Sequence, residues 1–151
     1  MAETLGSLCD KLTIVKLKQY HSQEEERLKS LAGQEVQLQE EIDEFVRRAL
    51  VGGIPIERLT FASNKVWKKE GNEVADVQGT LGTVFSMLAD VNCQLWHEQE
   101  KVYAFESVPP EEKNAVVKQL AVLNLSRNRC IDEIDRQFSA VVRERLASSS
   151  S

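Results

Sequence analysis

The chain has 151 residues, 42% apolar and 28% charged, enough for about one soluble domain with a real core. Its formal net charge of −5 gives no support to a general nucleic-acid binder, which carries a basic excess. No stretch reaches the roughly 18 apolar residues of a membrane span, and residues 1–20 lack the basic-then-apolar order of a secretory signal.

In residues 1–51, Ile14, Leu17, His21, Glu24, Leu28, Leu31, Leu38, Ile42 and Phe45 share one stripe at helical spacing, joined by Asp10. The stripe passes Gly33 without a phase shift, which predicts one helix from about Thr4 to Leu50; two helices broken at Ala32-Gly33 are the alternative. At about 1.5 Å per residue such a helix approaches roughly 70 Å. Leu5, Leu8, Leu12 and Val15 form a second apolar face, read as a contact with another subunit and hence a homodimer.

Gly52-Gly53-Ile54-Pro55 stops the helix. Residues 54–75 read as a connector, with a helical turn around Glu57 to Phe61, Trp67 pinning it to the bundle, and a solvated Lys65/Lys68/Lys69 cluster. A second long helix from about Val74 puts Leu81, Leu88, Leu95 and Val102 inward, with Asn92 and Gln99 on the same face. Ser107 is a plausible cap for a third helix from about Glu111 to Ala147. That helix carries the coiled-coil-like seams Val117/Asn124/Ile131/Phe138 and Leu120/Arg127/Ile134/Val141. The expectation is an all-α bundle of three long helices, a single domain over residues 1–147 with a disordered tail at 148–151. Cys9, Cys93 and Cys130 are odd in number, widely spaced and without a CxxC pair, which points to a reduced, cytoplasmic protein.

The informative residues are polar ones at inward positions, since a buried polar group needs a partner. Antiparallel packing of the last two helices would bring Asn92, Asn124 and Arg127 into one layer. A buried guanidinium needs a carboxylate or a bound anion, and Asp10, Glu24 and Asp135 are the internal candidates. The plainer reading is an ion pair with amides that fixes bundle register. The sharper one is a pocket for an anionic ligand such as a phosphate or nucleotide-sugar, in a ligand-binding protein or enzyme acting on a nucleotide, sugar or sugar phosphate. It would be built from Asn92, Trp96, Asn124, Arg127, Asn128 and Asp135, with Asp10 or His21 as acid–base groups.

Metal chemistry finds little support. Cys93, His97 and Glu100 share one helix face, yet zinc wants four ligands. The Glu-x-x-His order of di-iron bundles is reversed in His21-x-x-Glu24 and His97-x-x-Glu100. Glu41/Glu44 and Asp132/Asp135 only weakly imitate the magnesium carboxylates of helical pyrophosphohydrolases. No phosphate loop or nucleophile motif names a catalytic residue, and no cofactor is expected.

Three motifs carry a resemblance. They are Asp10-Lys11-Leu12-x-Ile14-xx-Leu17-Lys18-xx-His21, then Asn92-xx-Leu95-Trp96-xx-Gln99, then Leu123-Asn124-xx-Arg127-Asn128-xx-Ile131-x-Glu133-Ile134-Asp135. In these the sequence resembles a bacterial family of small helical proteins described as a domain of unknown function. The likeness covers the helices and not the 51–75 connector. It implies a non-catalytic accessory or scaffold role beside glycosyltransferases of lipopolysaccharide or other surface glycans, with a glycan-biosynthesis protein as partner.

Overall fold

A computed structural model describes residues 3–61 and 77–149. Among them there is no strand, and the all-α reading holds, but the long helices number four rather than three: α1 (Leu5–His21), α2 (Glu25–Leu50), α3 (Leu81–Tyr103) and α4 (Pro110–Ser149). Short 3-10 turns occupy Ile56–Arg58 and Phe105–Ser107.

The helix expected to run unbroken from Thr4 to Leu50 is a hairpin. Thr4 opens α1 with a capping box: its hydroxyl accepts the Ser7 amide at 3.3 Å, and its own amide donates to Ser7 Oγ at 2.8 Å. Extended backbone at Ser22 ends the helix. Lys18 and His21 lie in the last turn of α1, and Glu25 and Glu26 in the first turn of α2, so each end carries the charge that its dipole favours. The chain then reverses, and Glu35 of α2 meets Lys16 at 3.2 Å and Gln19 at 2.9 Å. Helix α2 runs continuously through exposed Gly33, so the alternative break is absent as well. The apolar stripe could not report the reversal, because both arms of a hairpin face the same core and each keeps helical spacing.

Helix α2 stops where expected. Gly52 adopts φ +78, a left-handed value that glycine takes without strain, and the Gly53 amide returns to the Arg48 carbonyl at 2.8 Å. The following turn lays Ile54 and Leu59 into the core. Trp67 and the Lys65/Lys68/Lys69 cluster lie outside the described residues, as does Val74. Residues 77–80 are not helical, and α3 starts at Leu81 with Thr80 as its cap. Ser107 belongs to the preceding turn, and Pro110 takes the first position of α4. Helix α4 continues through Ser149, two residues into the expected tail.

The main core gathers Leu5, Ala49, Leu59, Val84, Leu88, Ile131, Ile134, Phe138 and Val142. It therefore sits around the start of α1, the end of α2, the first half of α3 and the second half of α4. Packed among the other three long helices, α1 is buried on both faces. Leu5, Leu8 and Val15 are only 5%, 3% and 6% exposed, and Leu12 is half-buried, so the face expected to meet a second subunit is interior.

The heptad seams of α4 hold only in the middle. Val117 and Val141 are 56% and 51% exposed, and Val116, Leu123 and Val142 are buried instead. A straight helix drifts about 20° per heptad against a 3.5-residue repeat, so a strict heptad loses the core at its ends. Likewise Val102 and Gln99 of α3 face solvent as that helix leaves the core.

Candidate ligand-binding site

Beyond the apolar core, towards the ends of α1 and α3, the interior turns polar. Asp10 is 5% exposed, and a buried carboxylate must be neutralised and hydrogen-bonded to persist. Arg127 of α4 grips it in bidentate fashion, Nε to Oδ1 at 2.9 Å and Nη2 to Oδ2 at short range. Asn92 of α3 donates through Nδ2 to the same Oδ1 at 2.9 Å. Its hydrogen bond to Asp10 raises the Arg127 pKa against the opposing effect of burial, so the guanidinium stays charged. One residue from each of three helices thus closes a triad.

Of the three carboxylates that could meet Arg127, the one that does is Asp10. Glu24 is exposed at the start of α2. Asp135 is occupied elsewhere, accepting the Gly6 amide at 2.7 Å near the N-terminus of α1. Asn124 and Asn128 do not join the layer; Asn128 Nδ2 donates to the Asn124 carbonyl at 2.8 Å, one turn back along α4.

A pocket of about 480 Å³ opens beside the triad, lined by Asn92 and Arg127 together with Lys18, His21, Arg27, Trp96, Tyr103 and Glu100, among others. His21, placed by the sequence on the core stripe, is exposed; its ring lies flat on Trp96, centroids 4.7 Å apart at 10°. Tyr20 meets His21 edge-on at 5.2 Å. The pocket is therefore floored by aromatic surface at the point where α1 ends.

Its electrostatics oppose those of the whole chain. Three cations, Lys18, Arg27 and Arg127, line it against one acid, Glu100, in a protein of net charge −5. Arg127 is matched by Asp10, whereas Lys18 and Arg27 have no ion pair among the described residues. Asn92 is 1% exposed, and its Oδ1 has no hydrogen-bond partner among the described residues. Buried carbonyl oxygens rarely stay unpaired. The pocket thus combines free positive charge with aromatic surface.

Sequence reasoning missed Lys18 and Arg27 as site residues. Lys18 left a signal: Ile14, Val15, His21 and Ser22, its neighbours three and four residues away, include no acid to pair with it. Arg27 follows Glu24 by three residues, so nothing marked it as free.

Of Cys93, His97 and Glu100, only Glu100 borders the pocket. Cys93, His97 and Glu100 are all exposed on α3, and among the described residues no cluster of His, Cys, Asp and Glu is arranged to hold a metal ion. Glu44 is held by Arg47 at 2.6 Å. Burial, with the charges of Asp135 and Asp10, pushes the Cys9 thiol up to about 12, and burial raises Cys130 too, so neither is a thiolate nucleophile at neutral pH.

No protein-family model, curated protein or solved structure matches the chain.

Proposed function

We propose that this chain is a non-catalytic helical binding module whose pocket takes a phosphate-bearing small molecule with a ring attached. The observation that carries this reading is the convergence of unpaired Lys18 and Arg27 with Arg127 on one pocket of an otherwise acidic protein. Phosphate matches the cations, and the His21–Trp96 pair offers a flat surface to a ring. The volume lies within the range of about 300–1,000 Å³ usual for ligand sites.

The resemblance read in the sequence supports a role for such a module as a cytoplasmic accessory protein in bacterial surface-glycan assembly. A homodimer contact through the Leu5/Leu8/Leu12/Val15 face is not part of this reading, because that face is interior.

The test is a thermal-shift titration of the full chain with inorganic phosphate, pyrophosphate and nucleoside mono- and diphosphates. A ligand at a hundred times its Kd stabilises by about 2.7 kcal/mol, about 5–10 °C for a domain of this size. Lys18→Gln with Arg27→Gln should abolish the shift and lower the unliganded Tm by no more than about 4 °C, because neither side chain has a salt-bridge partner to lose and only Lys18 favours its helix end. A flat response of wild type to every compound would reject the proposal.

A further inference from the structure

A second cavity, of about 400 Å³, lies between α1 and α2 on the other side of Lys18 and Arg127. Ile14, Lys18 and Arg127 border both cavities, so the two adjoin along a cationic seam. Their linings differ in kind. The first offers the stacked rings of His21 and Trp96. The second offers amides and carboxylates, Gln34, Gln37, Glu41 and Asp10, around the apolar side chains of Val15 and Leu38.

That order (aromatic floor, two adjacent cations, then amides and acids over a small apolar patch) is a chemical template. A flat heteroaromatic base is recognised by stacking. A diphosphate is recognised by lysine and arginine. A hexose is recognised by side chains that exchange hydrogen bonds with its hydroxyls, above a patch that covers its C–H face. Gln37 and Glu41 make no hydrogen bond among the described residues, so both are available to hydroxyls.

Building on the proposed phosphate-binding role, we propose that the ligand is a nucleoside diphosphate sugar. Its base lies against Trp96, its diphosphate lies at Lys18 and Arg127, and its sugar lies in the α1–α2 cavity beside Gln37 and Glu41. Affinity then contains a separable sugar contribution to which Gln37 and Glu41 of α2 supply the hydrogen bonds.

The experiment is calorimetry on the full chain with UDP-glucose, GDP-mannose and ADP-glucose, each beside its parent nucleoside diphosphate. At least one sugar nucleotide should bind tenfold or more tightly than its parent. Gln37→Ala with Glu41→Ala should return it to the affinity of the parent and leave parent binding unchanged. Both side chains are exposed, so the fold should survive the change. Trp96→Ala should weaken sugar nucleotide and parent alike. Equal affinity of every sugar nucleotide and its parent would overturn the sugar assignment while the phosphate-binding role stands. Absence of binding by all six compounds together with pyrophosphate would remove both.

Discussion

The amide of Gly6 donates to Oδ1 of Asp135 at 2.7 Å, joining residues 129 positions apart at the crossing of α1 and α4. A Cβ on Gly6 would lie 2.6 Å from the Ile131 carbonyl oxygen and 2.9 Å from Asp135 Oδ1. The glycine is there for proximity, since the two backbones are too close for any side chain. Gly6→Ala should cost about 1–3 kcal/mol, as overpacking in a tight contact does. Chemical denaturation measures it, and a loss below 0.5 kcal/mol would contradict this account.

Asp135 also sets a pH dependence. Burial pushes its carboxyl from 3.8 to about 6; the Gly6 amide and Thr4 side chain oppose the rise, and Asp132 adds to it. With a raised folded pKa, the folded chain keeps a proton that the unfolded chain has already released across this interval. The contribution to stability is therefore full below about pH 4, falls by on the order of 3 kcal/mol as pH rises through 6, and is flat above. Glu133, lowered by its bond to Arg136, slopes the opposite way, so the readout is the difference between wild type and Asp135→Asn. That difference should change between pH 4 and 6.5; a constant difference across the interval would refute the assignment.

The triad should behave as a unit. Arg127→Ala leaves the Asp10 carboxylate buried with Asn92 alone, and breaking a buried pair costs about 3–5 kcal/mol. The Arg127 side chain is 32% exposed, so water recovers part of this and about 1–3 kcal/mol is the expected loss. Asp10→Asn with Arg127→Met should cost less than Arg127→Ala alone, since no charge is stranded. Strict additivity in a double-mutant cycle would show that the two residues act independently.

Glu25 tests the hairpin. It is the first residue of α2, where a helix amide has no intrahelical partner, and Glu24 before it is extended at φ −78, ψ 124. Proline suits this position. Glu25→Pro should change stability by less than about 1 kcal/mol, whereas proline inside a continuous helix costs about 3 kcal/mol or more. A large loss by circular dichroism melting would restore the single long helix.

Local features of the fold were legible, and those set by tertiary packing were not. Gly52-Gly53 announced the end of α2 because left-handed backbone leaves a residue signature. The three-residue break after His21 uses no glycine or proline, so only the run of acids following Lys18 and His21 marked it. Inward polar residues identified Asp10, Asn92 and Arg127 one by one. Choosing Asp10 over Glu24 and Asp135 required knowing that α1 folds between its neighbours. The same unknown turned Leu5, Leu8 and Val15 from a supposed outer face into core. Arg27 enters the pocket only because α2 doubles back, and no periodicity within α2 encodes that.

The triad joins positions separated by 82 and 117 residues, and the Gly6–Asp135 clamp spans 129. The α3–α4 hairpin, by contrast, is closed by one short turn. Loop-closure entropy makes distant contacts slower to form than local ones, so the α3–α4 pair should assemble first and α1 should dock late. The pocket has walls on all four long helices, which makes its completion one of the last events of folding. Ligand present during refolding should accordingly slow unfolding and leave early hairpin formation untouched.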